Sequence, residues 1–192
     1  MPAPTGPTDT KIPHTQRLEH FVKCGALRHP SRNAITYYVA GKPYSISYLD
    51  LWAQVCVAAS VLQQYISVDG TTPFVQLFLP TGPNQVIGIL AILLSGAAFV
   101  PVALDLPPSA LQELIQQTQS TIFVTEATHK HYLASLLVSA GVETPLIIDL
   151  DHLEPVIVDI TGSRKVSTTD AAYVLFSSGT TGTSYRCSVF AS

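Results

Sequence analysis

The sequence predicts an α/β fold: a parallel sheet with helices on both faces, preceded by a helix and a β-hairpin. Three observations lead there. Short, nearly continuous apolar runs ("PFVQLFL", "AAFVPV", "TIFVT", "PLIID") alternate with helical-period segments of about ten to fourteen residues, the pattern of βαβ units whose strands are buried on both faces. The 192 residues are 47% hydrophobic and only 12% charged, about half the usual charged share, which suits one sizeable core. Glycine and proline stand between the runs, at Gly96, Pro107, Pro108 and Gly141.

The elements follow in order. Pro2, Pro4, Gly6, Pro7 and Pro13 crowd a lead over residues 1–15 that is expected to be disordered. "QRLEHFVKCGALR" then sets Leu18, Phe21, Val22 and Ala26 at helical spacing. "NAITYYVAGKPYSISY" reads as two strands around Ala40-Gly41-Lys42. Ser47 can cap a following helix, with Asp50 three positions on and Leu51, Val55, Ala59 and Leu62 as its buried face.

From there the rhythm is regular. "PFVQLFL" is a strand, "TGPNQ" a turn, and Asn84 starts the helix "QVIGILAILLS", which Gly96 ends before the strand "AAFVPV". Pro107, Pro108 and Ser109 open a helix with Gln112 completing a capping box, and Leu111, Leu114, Ile115 and Thr118 face inward. "TIFVT" is a strand, "ATHKHYLASLLVSA" a helix closed by Gly141, and "PLIID" a further strand. Residues 151–170 read as a looser connection to "YVLF", the strand of residues 173–176.

Composition excludes several function classes. With a net charge of −3 and no Lys or Arg between Pro43 and His129, there is no basic groove for nucleic acid. Cys24, Cys56 and Cys187 are odd in number and widely spaced, which fits a reducing, cytoplasmic setting rather than a disulfide framework or zinc site. No apolar signal-peptide core follows the N-terminus. "VIGILAILLSGAAFVPVAL" runs for 19 uncharged residues, near the length of a membrane span. Gly88, Ser95-Gly96 and Pro101 interrupt it and no basic residue flanks it closely, so a helix, a glycine break and a buried strand are expected instead of a membrane segment.

The segment that bears chemistry is Ser177-Ser178-Gly179-Thr180-Thr181-Gly182, directly after the "YVLF" strand. Glycines let backbone N–H groups converge on an anion, and Ser and Thr add hydroxyl donors. It is neither a Walker A loop nor a dinucleotide fingerprint, and without Lys or Arg it does not suit the nucleic-acid clamp of a KH domain. An ordinary surface turn rich in Ser, Thr and Gly has the same composition.

"YVLFSSGTTGT" resembles the signature phosphate loop of the adenylate-forming (AMP-dependent synthetase/ligase) enzymes: acyl-CoA synthetases, luciferases and the adenylation domains of nonribosomal peptide synthetases. "YSISYLDLW" is similar to their early "TYxEL" segment, and "LLSGAAFVPVALDLPPSALQELIQQTQSTIFVT" to their "KAGxAYVPLDP" core with the helix and strand after it. The three landmarks lie in the family's order between Leu18 and Thr183, most like a fungal nonribosomal peptide synthetase or synthetase-like adenylation domain. The resemblance implies a partial N-terminal subdomain of that fold over residues 16–183 and a ligase that activates a carboxylic or amino acid with ATP and Mg2+. The acyl-adenylate would pass to a thiol, CoA or a carrier protein's phosphopantetheine. Ser177, Ser178, Gly179, Thr180, Thr181, Gly182 and Thr183 would hold the β- and γ-phosphates. No catalytic and no metal-binding residue is carried over.

The likeness stops inside the loop. The family continues with Pro-Lys-Gly where this chain reads Ser184-Tyr185-Arg186, so a neutral tyrosine takes the lysine's place, and residues 184–192 look unlike the family. This pattern is expected of a truncated, inactive ligase arising from a frameshift, retained intron or misplaced gene end. The alternative is a non-catalytic binding module or split-synthetase subunit that docks the missing remainder, and a chain with no function would aggregate or be degraded. Other features suggest structure. His129 and His131 do not share a helix face, Asp149, Asp151 and Glu154 suit a polar loop better than a magnesium site, and Trp52 and Cys56 read as core.

Overall fold

The computed structural model describes residues 17–66, 72–154, 170–177 and 185–190. The proline-rich lead, residues 155–169 of the expected connection and loop residues 178–184 lie outside them.

Helix α1 (Leu18–Arg28) buries Ala26 and leans Val22 on the core, as its spacing predicts. Leu18 and Phe21 instead stand 56% and 38% exposed. The Arg17 guanidinium pairs with Glu19 and donates to the Leu93 carbonyl, and this contact turns Glu19 toward the body in place of Leu18. Strands β1 (Asn33–Val39) and β2 (Lys42–Ser47) form the expected hairpin. Ala40 and Gly41 have φ of +48° and +78°, the left-handed pair of a type I′ turn, which suits the twist of the strands.

Ser47 caps helix α2 (Tyr48–Gln63): its Oγ accepts from the Asp50 N–H at 3.1 Å and donates to the Asp50 carboxylate at 2.6 Å. A full capping box would return a carboxylate to the cap residue's N–H; aspartate, one methylene shorter than glutamate, meets the hydroxyl. Leu51, Val55, Ala59 and Leu62 are buried as the spacing predicts.

Then follow β3 (Phe74–Leu77), α3 (Pro83–Leu94), β4 (Ala98–Pro101), α4 (Pro108–Thr118), β5 (Ile122–Thr125), α5 (Ala127–Ser139), β6 (Leu146–Asp149), β7 (Ala171–Ser177) and β8 (Tyr185–Phe190). Two starts differ from expectation. Pro83 takes the first position of α3, where its missing N–H is harmless, so Asn84 lies inside the first turn. In α4, Pro108 is already helical, so Ser109 lies inside the helix and the Ser109–Gln112 capping box does not form. The 19-residue apolar run divides into α3, a turn at Gly96 (φ +86°) and β4. Among the described residues no helix is long and apolar enough to cross a membrane.

The sheet runs β6-β5-β3-β4-β7-β8, with the first five strands parallel and β8 antiparallel to β7. From β3 the chain steps through α3 to β4 on one side. From β4 it steps back through α4 across β3 to β5, and on through α5 to β6. Right-handed crossovers in opposite directions place their helices on opposite faces. The core divides accordingly. Val75, Leu77 and Val124 pack with α2 and α3, while Phe123, Val100 and Val174 pack with α4 and α5. Phe123 and Val124, adjacent in β5, belong one to each face, as a period of two requires.

Candidate functional site

Strand β7 sets the root of the predicted phosphate loop. It pairs in parallel with β4 through Phe99 and Tyr173, whose rings stack at 5.5 Å, and Val174 is fully buried against the α4–α5 face. This anchoring brings Ser177, the last residue of β7, to the carboxyl end of the sheet. The chain leaves there and returns in register, Ser177 opposite Tyr185 and Phe176 opposite Arg186. Of the seven predicted site residues, Ser177 lies on a described strand. Ser178, Gly179, Thr180, Thr181, Gly182 and Thr183 are outside the described residues.

Sequence reading assigned no element to the tail, yet Tyr185–Phe190 is strand β8. A strand next to a hairpin partner is decided by the edge offered to it, here that of β7, as much as by its own residues.

The same end of the sheet carries a polar cluster. β3 and β5 are neighbours whose onward connections leave in opposite directions, so the topological switch point lies between their carboxyl ends. Asn84, in the first turn of α3, donates to Glu126 at 3.1 Å and to Asp151 at 3.0 Å. Asp151 also accepts from the Ala127 N–H at 2.9 Å, at the start of α5, where a carboxylate is favoured by the helix dipole. Asp149, 7% exposed, meets Lys130 at 3.6 Å and His152 Nδ1 at 3.0 Å. His129 sits 3.2 Å from Glu126, on a different partner from Lys130, and its ring lies edge-on to Phe78. Asp149 and Asp151 are thus tied into the scaffold, and Glu154 is exposed. Among the described residues no group of three or more His, Cys, Asp or Glu side chains could hold a metal ion. Sequence reading noted the acidic residues and took Asn84 only as a helix start, since its partners lie 42 and 67 positions away.

Beside this cluster a pocket of about 260 Å³ opens between α2, α3 and the 3-10 turn Leu150–His152, with Val57, Asn84, Ile87, Leu150, Asp151 and Leu153 in its wall. A hollow of about 470 Å³ lies at the opposite, amino end, along Thr72–Phe74 and Gln117–Ile122. Trp52 packs against the core, and Cys56 is a half-buried free thiol on the same helix, with its proton affinity pushed up by burial and partly offset by Lys23.

A sequence profile described as AMP-binding enzyme matches residues 23–184. The NRPS-like oxidoreductase fscA of Fusarium equiseti is 30% identical over 176 residues, 89% of this chain and 16% of that protein. Tyrocidine synthase 3 of Brevibacillus parabrevis is 28% identical over 169 residues, 86% of this chain and 2% of that protein. Among solved structures, McyG A-PCP complexed with phenylalanyl-adenylate superposes with a TM-score of 0.74 at 20% identity, over 92% of this chain and 28% of that one. The fatty acyl-adenylate ligase from L. pneumophila, in complex with acyl adenylate and pyrophosphate, superposes with a TM-score of 0.68 at 20% identity, over 91% of this chain and 30% of that one. At these identities the structural likeness establishes the fold. The chain spans 16% or less of the length of these two curated relatives.

Proposed function

The chain belongs to the AMP-binding enzyme family, and on that premise we propose that residues 16–183 are part of an acid-activating ligase, the part that grips the phosphates of ATP. In the reaction, a carboxylate oxygen attacks the α-phosphorus of ATP, the bond to the bridging oxygen breaks and pyrophosphate leaves. A thiol, of CoA or of a carrier protein's phosphopantetheine, then attacks the acyl carbonyl and AMP departs. Ser177 to Thr183 take the β- and γ-phosphates through backbone N–H and hydroxyl donors, orienting pyrophosphate as the leaving group. These residue types include no carboxylate, so Mg2+ arrives on the nucleotide rather than on the loop.

The observation that carries this reading is the profile match through residue 184 together with a strand β7 that ends at Ser177 on the carboxyl end of a parallel sheet. Tyr185 stands where the resemblance calls for a lysine, so the grip relies on neutral donors and is weak. The 192 residues by themselves do not turn over, and their setting is the cytoplasm. A second reading, a non-catalytic or split-synthetase subunit, is favoured by Leu175, 47% exposed although β7 is an interior strand. Its partner would be the remainder of a synthetase, or a carrier protein, docked on that sheet face; neither nucleic acid nor membrane is a partner.

The test is ATP binding and ATP–pyrophosphate exchange with the purified 192-residue protein. Weak ATP binding that falls with the paired changes Ser178→Ala and Thr180→Ala, at an unchanged circular dichroism spectrum, supports the loop assignment. ATP binding indifferent to those changes refutes it. Carboxylate-dependent exchange by the chain alone overturns the claim of inactivity.

A further inference from the structure

The carboxyl end of an open parallel sheet attracts anions, because helix N-termini converge on the crevice at the switch point. In this chain its own carboxylates fill that place. Asp151 takes the N–H of Ala127, and Asn84 uses both amide hydrogens, one on Glu126 and one on Asp151. The nearby cations among the described residues face elsewhere: Lys130 and His152 are turned to Asp149, and His129 to Glu126. Among the described residues no Lys, Arg or His lines the adjoining pocket of about 260 Å³. An incoming phosphate or carboxylate would meet Asp151 with no positive group among the described wall residues to receive it.

We propose that this pocket binds a small amphipathic amine, its ammonium on the Asp151 carboxylate and its apolar body against Val57, Ile87, Leu150 and Leu153. Each Asp151 oxygen has one protein donor and two lone-pair directions, so each retains an acceptor position. Asn84, with both hydrogens engaged, offers only its Oδ1. Ile87 is buried, and Val57, Leu150 and Leu153 are half-buried, which gives an apolar wall with a few converging acceptors, the usual make-up of a small-molecule site. An ammonium–carboxylate bond is about twice as strong as a neutral one, so charge is the discriminating feature. The site lies away from Ser177, the described root of the proposed phosphate loop. Along the sheet, β7 lies two strands from β3 and four from β6, about 10–20 Å at the usual strand spacing. Binding therefore needs no nucleotide.

The experiment is a titration of the isotope-labelled 192-residue protein, followed by amide NMR at pH 7 and low salt, without ATP. The probes are 2-phenylethylamine and its similarly shaped anionic counterpart 3-phenylpropionate. The amine is expected to shift the amides of Val57, Asn84 and Asp151 saturably, with the carboxylate at least tenfold weaker. Asp151→Asn should weaken the amine about tenfold, and Val57→Trp, which fills the pocket and keeps the carboxylate, should abolish the response. If Asp151→Asn fails to fold, Val57→Trp decides alone. Equal response to both probes, shifts that map elsewhere, no saturable shift, or amine binding that survives Val57→Trp overturns the proposal.

Discussion

Asn84 and Asp151, 67 positions apart in sequence, meet at 3.0 Å, and the same amide reaches Glu126 at 3.1 Å. One neutral side chain thus separates two carboxylates and ties the starts of α3 and α5 to the turn after β6. Asn84→Ala should cost about 1–2 kcal/mol, since two hydrogen bonds to charged acceptors are lost at a half-exposed position where water partly replaces them. Asn84→Asp should cost more at low salt and recover part of the loss at high salt, because it sets a third carboxylate between two. Urea unfolding at two ionic strengths measures both effects, and a salt-independent loss in Asn84→Asp would show that repulsion is not the cause.

Gly88, on α3, faces β3 so closely that an added Cβ would lie 2.7 Å from Leu77 Cδ1 and 3.1 Å from Leu79 Cδ1. Alanine gains about 1 kcal/mol of helix propensity over glycine. Leu77 is 2% exposed in a packed core, so its methyl has little room to retreat, and overpacking of this kind costs about 1–3 kcal/mol. A net loss of about 1 kcal/mol is expected for Gly88→Ala and a larger one for Gly88→Val. A stabilised Gly88→Ala would mean that Leu77 moves freely.

Gln76, in the middle of β3, is fully buried and donates to Thr118 Oγ1 at 2.8 Å, while its Oε1 has no partner among the described residues. Thr118 keeps its own bond to the Leu114 carbonyl whatever stands at position 76. Replacing Gln76 with Met therefore removes an unsatisfied buried acceptor at similar volume and should be neutral or stabilising by up to about 1 kcal/mol. Gln76→Glu buries a charge and should be destabilising by several kcal/mol at pH 7. Denaturant midpoints of the two variants are expected to move in opposite directions or, for Met, not at all; a large loss in Gln76→Met would mean that a buried water completes the network.

The alternation of strands and helices was legible because it is local: Leu51, Val55, Ala59 and Leu62 declare one helix face by spacing, and all four are buried. What escaped depends on distant partners. Leu18 and Phe21 have the right spacing, but which face of α1 meets the body is decided by Arg17 reaching Leu93, 76 residues away. Ser109 is a good cap residue set two positions too late, because Pro107 takes the cap position and Pro108 is already helical. Strand β8 has a weak pattern of its own and forms on the edge of β7. The segment after β7 reads as an anion-holding loop from composition alone, six residues of donors and glycine, and all of it but Ser177 lies outside the described residues; the Asn84 cluster had no such local mark, since its partners lie 42 and 67 positions away.

Cys56 makes the last prediction, and its sign follows from its surroundings. Burial on α2 disfavours the thiolate and raises the folded-state value, and Lys23 on α1 pulls it partly back. A thiol whose folded value exceeds its unfolded one adds stability that is complete below the unfolded value, about 8.5, and is lost as pH rises through the higher folded value. Relative to Cys56→Ala, the unsubstituted protein should therefore lose stability as pH is raised above about 8.5, because unfolding releases a thiol that ionises more readily. Iodoacetamide should modify Cys56 more slowly than glutathione at pH 8, since only the thiolate reacts. Lys23→Gln should slow it further by removing the charge that favours ionisation. Mass spectrometry of the Cys56 peptide over time gives the rates. Labelling as fast as the free thiol, or faster in Lys23→Gln, would mean that the α1–α2 contact does not shield this sulfur.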